Sequence, residues 1–140
     1  MNRRRRTEIL IQGNGQLAKQ FAEAIEHTYE CKEISAPQYG MTMIKMRETA
    51  KNSLFYIGEA LITETKVEIN GRIGIGIVIG MEQELSRQLA LIDAAYKAEL
   101  PETVEWQVKL AAEEQEIAQL RAHQQAELFE TKVNFETMEI

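Results

Sequence analysis

A chain of 140 residues with 44% hydrophobic and 27% charged residues is long enough for one domain with a buried core. A formal net charge of -6 argues against nonspecific nucleic-acid binding over the whole surface, and no apolar run approaches the length of a membrane span. Cys31 is the only cysteine and has no internal disulfide partner; with no secretory signal read at the start, a reducing cytoplasm is expected. Charge is uneven: Arg3 to Arg6 form a basic block, while seven glutamates between Glu102 and Glu130 face only Lys109 and Arg121. A solvated surface accounts for such runs most simply, but these two ends can also attract each other or meet separate partners.

Residues 4–12 read as a short helix that buries Ile9 and Leu10, broken at Gly13-Asn14-Gly15. A second helix over 16–26 repeats Leu17, Phe21 and Ile25 at four-residue spacing. Residues 29–35 suit a strand, Pro37 to Gly40 a turn, and 41–46 a second strand. Residues 53–69 look extended, with Phe55, Ile57, Val67 and Ile69 as inward candidates and Gly58 marking a bulge. Asn70-Gly71 between apolar runs is a strong hairpin signal. The strand that follows carries isoleucine at every odd position from Ile73 to Ile79, and glycine at Gly74, Gly76 and Gly80. Alternation puts the isoleucines on one face, expected to be packed, and nearly bare backbone on the other. Glycine weakens a strand, so the bare face implies close approach by a helix, a partner chain or a ligand. Residues 81–99 form a helix with Leu85, Leu89, Ile92 and Tyr96 on one stripe, ended by Pro101. A long polar helix is predicted from Glu102 to about Phe129, with a small-residue surface from Ala111 to Ala126. Residues 131–138 alternate like a strand and form an extended tail suited to docking.

Candidate chemistry is sparse. Gly74, Gly76 and Gly80 precede a helix, but their G-x-G-x-x-x-G spacing is not the dinucleotide pattern, and two of them lie inside the strand, so packing outweighs phosphate binding. His27, Cys31 and the distant His123 do not make a metal set, and Cys31 has no evident activating base. Asp93, the only aspartate, stands at the edge of the apolar stripe. It either pairs with Lys97 at i,i+4 or makes a partly buried hydrogen bond that orders its helix against the sheet or a partner. Cations in the Arg3 to Arg6 block oppose the dipole of the helix they open, so the block either is a solvated terminus or meets an anion such as phosphate or an acidic partner surface.

Several segments together resemble the PhnG family, the small subunit of the bacterial carbon–phosphorus lyase system for phosphonate use. They are Phe55 to Ala60, the Val67 to Gly80 hairpin, Ala90 to Ala94 and Thr131 to Met138, with Arg6 to Leu10 also fitting. The resemblance implies a cytoplasmic hetero-oligomer with three other subunits: a nucleosidase-like subunit, a second small subunit and an iron–sulfur radical lyase. With the nucleosidase-like subunit, this chain would support displacement of adenine from the ribose of ATP by a phosphonate. No cofactor, metal or catalytic residue is implied for this subunit, nor contact with nucleic acid or membrane.

The resulting expectation is an α+β chain with two N-terminal helices, a four-stranded antiparallel sheet, two C-terminal helices and an extended tail. Residues 1–140 form a single accessory-subunit domain, with 102–140 a projecting helix and tail. Gly74, Gly76, Asp93, Val133, Phe135 and Met138 are the candidate partner interface. Two alternatives stay open: a self-contained phosphate-ligand enzyme using Arg72, Glu59 and Asp93, and a structural homodimer joined through the long helix.

Overall fold

The computed structural model describes residues 2–13 and 15–138, with side chains up to Glu130. The order is α1 (Arg3–Gln12), α2 (Gln16–Thr28), β1 (Lys32–Arg47), β2 (Leu54–Ile69), β3 (Arg72–Ile79), α3 (Gln83–Lys97) and α4 (Glu102–Met138). The α+β class holds. The sheet is antiparallel, has three strands rather than four, and runs β1-β2-β3.

The expected turn at Pro37 to Gly40 does not form, and the two strands read on either side of it are one. Proline lacks an N–H and is tolerated on edge strands and at bulges. β1 is an edge, and its pairing with β2 slips between Glu33 and Ser35 and again between Ser35 and Gln38, which leaves Pro37 outside the ladder. A third slip, between Ile44 and Lys45, leaves Ile57 unpaired next to Gly58, where a bulge was expected. The Asn70-Gly71 hairpin forms as read. Both residues have positive φ (51° and 79°), and Ile69 pairs with Arg72. That is the two-residue turn whose twist matches the flanking strands.

The two faces of β3 carry the opposite roles to those expected. The glycine face is the packed one: Gly74, Gly76 and Val78 are buried, whereas Ile73, Ile77 and Ile79 are exposed. α3 fills the glycine face. A Cβ on Gly76 would stand 2.0 Å from the Ser86 carbonyl oxygen, and one on Gly74 would stand 2.2 Å from that of Ala90. The matching signal on the helix is Ser86, Ala90 and Ala94, a small-residue row at four-residue spacing. Ser86 Oγ is also a polar bolt, 2.8 Å from both Thr65 Oγ1 and the Gly76 carbonyl oxygen. Thr63 Oγ1 donates to the Gly80 carbonyl at 2.6 Å and accepts from Glu82 N–H at 3.1 Å, fixing the entry to α3.

The core lies between α3 and the N-terminal helices. Phe21 and Ile25 of α2, Leu91 and Ile92 of α3, and Trp106 and Leu110 of α4 are buried there. Phe21 and Trp106 stack with ring centroids 4.3 Å apart. Burial of each such side chain contributes about 1.5–3 kcal/mol. Val67 and Ile69 point inward as expected, but Phe55 and Ile57 are exposed, because that end of β2 extends past the sheet.

α4 runs through Met138, so the extended tail is instead helical backbone. Local alternation over 131–138 loses to continuation of a helix already formed from Glu102 to Glu130, where each added residue gains a hydrogen bond. The side chains of Val133, Phe135 and Met138 lie outside the described residues.

Candidate interaction surfaces

Asp93 is the point where three elements meet. It is buried, at 4% exposure, and both carboxylate oxygens are used. Oδ1 lies 3.2 Å from Arg3 Nε and 3.2 Å from an Arg6 guanidinium nitrogen. Oδ2 lies 3.1 Å from Lys97 Nζ and accepts the Ile75 N–H at 2.9 Å. The i,i+4 pair with Lys97 and the hydrogen bond to the sheet are therefore both present. A glutamate, one methylene longer, would not seat both oxygens at this depth without displacing them. Arg6 is buried as well, its guanidinium 3.9 Å from the Tyr96 ring centroid. Burial pulls the Arg6 guanidinium below its ordinary value, against the opposing effect of Asp93.

Arg3, Arg5 and Arg6 of the basic block thus find acidic partners within the chain. Arg5 Nε donates to Glu114 at 2.6 Å, and its guanidinium also pairs with the second Glu114 oxygen. Those contacts raise the Arg5 value and lower that of the Glu114 carboxyl. Arg121 donates to Gln12 at 2.7 Å. The first helix and the acidic last helix do attract each other, and the opposed dipole at the start of α1 is offset by Asp93 and Glu114.

Beside this node lies a cavity of about 450 Å³, bounded by Arg3, Arg4 and Thr7 of α1, Ile75 and Ile77 of β3, and Leu89 of α3. Arg72, Glu59 and Asp93, the trio of the enzyme alternative, are not brought together. Arg72 pairs with Ile69, while Glu59 is ten residues earlier on β2, opposite Met43. Ten strand residues span about 33 Å. Cys31 is half-buried, and burial, with Glu26 nearby, raises its thiol above the ordinary value, as suits an unreactive thiol. Among the described residues no group of three or more His, Cys, Asp or Glu is placed to hold a metal ion, and no helix is long and apolar enough to cross a membrane.

Among the described residues, two surfaces carry large apolar side chains without cover. β3 pairs only with Ile62–Ile69, so the rest of β1 and β2 leaves the sheet as a two-stranded arm. Met41, Met43 and Met46 on one strand and Leu54, Phe55, Tyr56 and Ile57 on the other are all exposed there. An isolated two-stranded ribbon is marginally stable in water. The other surface is the outer length of α4. At about 1.5 Å per residue its 37 residues span about 55 Å. Trp106, Leu110 and part of Ile117 face the core, but every side chain from Ala118 to Glu130 is exposed, Leu120, Leu128 and Phe129 included.

The family model for the phosphonate metabolism protein PhnG matches residues 1–139. The chain belongs to the PhnG family. No curated relative matches the chain. The segments on which the resemblance rests fall at distinct places in this PhnG fold. Phe55 to Ala60 lies in the exposed arm, Val67 to Gly80 is the β2–β3 hairpin, and Ala90 to Ala94 carries both the glycine contact and Asp93. Of the candidate interface residues in this PhnG-family chain, Gly74 and Gly76 lie under α3, and Asp93 is enclosed by Arg3, Arg6 and Lys97. The arm was missed as a surface. Its signal is Met41, Met43 and Met46 in one segment with Leu54, Phe55, Tyr56 and Ile57 in the next, too apolar on both faces for a sheet covered on one side.

Proposed function

We propose that this chain is an accessory subunit of the cytoplasmic carbon–phosphorus lyase core complex. In that role it supports the nucleosidase-like subunit as a phosphonate takes the place of adenine on the ribose C1 of ATP. The observation that carries the reading is the arm formed by the distal halves of β1 and β2, whose large apolar side chains are exposed on both strands. Monomeric soluble proteins rarely expose a contiguous apolar patch of that kind, and such patches mark contact with other chains. Membership of a phosphonate metabolism family supplies the context in which those other chains are sought.

The role is structural support rather than chemistry. The charged side chains of the Asp93 node are used to join α1, β3 and α3. The test is adenine release from ATP and methylphosphonate by the nucleosidase-like subunit, with and without this chain. Release that requires both supports the proposal. Equal release without this chain, or release by this chain alone, overturns it.

A further inference from the structure

The outer edge of β3 is half closed and half open. Gly80 N–H donates to Leu61 O across the β2–β3 pair at 2.8 Å, and antiparallel ladders alternate. The residues at even positions of β3 therefore bond inward to β2, and Ile73, Ile75, Ile77 and Ile79 direct N–H and C=O outward. Side chains close both groups of Ile75 and the carbonyl of Ile73. Lys97 donates to Ile73 O at 3.0 Å, Arg3 donates to Ile75 O at 3.2 Å, and Asp93 accepts from Ile75 N–H at 2.9 Å. Among the described residues none bonds to the outward groups of Ile77 or Ile79. Unpaired strand edges are templates for another strand, and proteins usually cover or charge them. Here the charged cover stops at Ile75, where the cavity begins.

We propose that the Ile77 to Ile79 edge of β3 accepts an extended segment of another subunit in the assembly. That segment would carry an Asp or Glu side chain where it meets Arg3 and Arg4. The strand would pair with the outward N–H and C=O groups of Ile77 and Ile79 and place an apolar side chain in the cavity over Leu89. The Arg3 and Asp93 side chains occupy the edge at Ile75, so the segment must turn away there, beside cationic groups. Arg3, Arg6 and Lys97 share the single carboxylate of Asp93, so positive charge is in surplus. Arg4 is exposed and pairs with Glu8, which also borders the cavity, so Arg3, Arg4, Arg6 and Lys97 face two carboxylates there. An acidic side chain fits that end and a basic one does not.

This inference rests on the assembly reading above, and its test separates the two. Hydrogen exchange is followed at the amides of Ile77 and Ile79 in this chain alone and in the complex co-expressed with the other carbon–phosphorus lyase subunits. The expectation is exchange slowed at least about tenfold on assembly at these two amides. Ile77→Pro, which removes an outward N–H at an edge position where proline is tolerated, should weaken assembly at least about tenfold. Arg4→Glu, at an exposed position, should weaken it severalfold and more strongly at low salt. Assembly with both amides still exchanging freely overturns strand docking and leaves the subunit reading intact. No assembly at all overturns both. Assembly by Ile77→Pro and Arg4→Glu as tight as wild type also overturns it.

Discussion

Replacement of Gly76 by alanine tests the contact that organises the fold. The added Cβ would lie 2.0 Å from the Ser86 carbonyl oxygen, 2.6 Å from the Ala90 nitrogen and 3.1 Å from Leu89 Cβ. Ordinary contact begins at 3.4 Å, so 3.4 less 2.0 leaves 1.4 Å that backbone must absorb. Neither close atom belongs to a flexible side chain; α3 must lift or tilt. A lift also strains the Ser86 bonds to Thr65 and to Gly76 itself. Overpacking of a well-filled core costs typically about 1–3 kcal/mol, and the rigid neighbours place this case at about 3 kcal/mol or above. For a chain of this size that lowers Tm by about 10 °C. Gly40→Ala is the control, since its Cβ would meet only Ile62 Cγ1 at 3.9 Å and β1 needs no positive φ there. Thermal melts followed by circular dichroism compare the two. Gly76→Ala melting within a degree or two of Gly40→Ala would refute the claim that the glycines exist for α3.

Asp93→Ala leaves the buried Arg6 without its carboxylate and the Ile75 N–H without an acceptor; urea unfolding should show a loss of about 3–5 kcal/mol, and a loss under 1 kcal/mol would remove Asp93 as the joining residue. Phe55→Glu on the exposed arm should leave the melting of this chain nearly unchanged yet weaken its co-purification with the proposed partner subunits by tenfold or more; unchanged co-purification would exclude the arm as a contact. Burial raises the Cys31 thiol, so the thiolate is scarcer in the folded chain at a given pH; iodoacetamide should react more slowly than in urea, with its pH midpoint displaced upward, and coincident midpoints would contradict the burial. Glu114 is lowered by Arg5, so the α1–α4 tie is present above the ordinary carboxylate range and lost as pH falls through the lowered value; loss of protection in α1 amides at neutral pH would contradict it.

Much of the helical fold was legible because periodicity reports it directly. Phe21 and Ile25, and Leu89 and Ile92, are buried where their spacing put them, and Asn70-Gly71 turned the chain where its φ preferences require. What was not legible depended on tertiary context. A glycine–isoleucine alternation has two faces, and sequence spacing alone does not say which one meets the helix. The row of Ser86, Ala90 and Ala94 decides it, because small side chains there and none on Gly74 and Gly76 let two backbones touch. Pro37 reads as a turn unless the strand is known to be an edge with slipped register. Residues 131–138 alternate, but cooperativity with the preceding helix outweighs local pattern. Asp93 stood out by residue type, while its partners Arg3 and Arg6, about ninety positions away, came from the docking of α1.

The most direct test of the central claim is mass-resolved size exclusion of this chain, expressed alone and with the nucleosidase-like subunit, with adenine release followed on each fraction. The expected result is a shared peak with the exposed arm protected from proteolysis, and adenine release only from that peak. A well-folded chain that elutes separately, with adenine release indifferent to its presence, would contradict it.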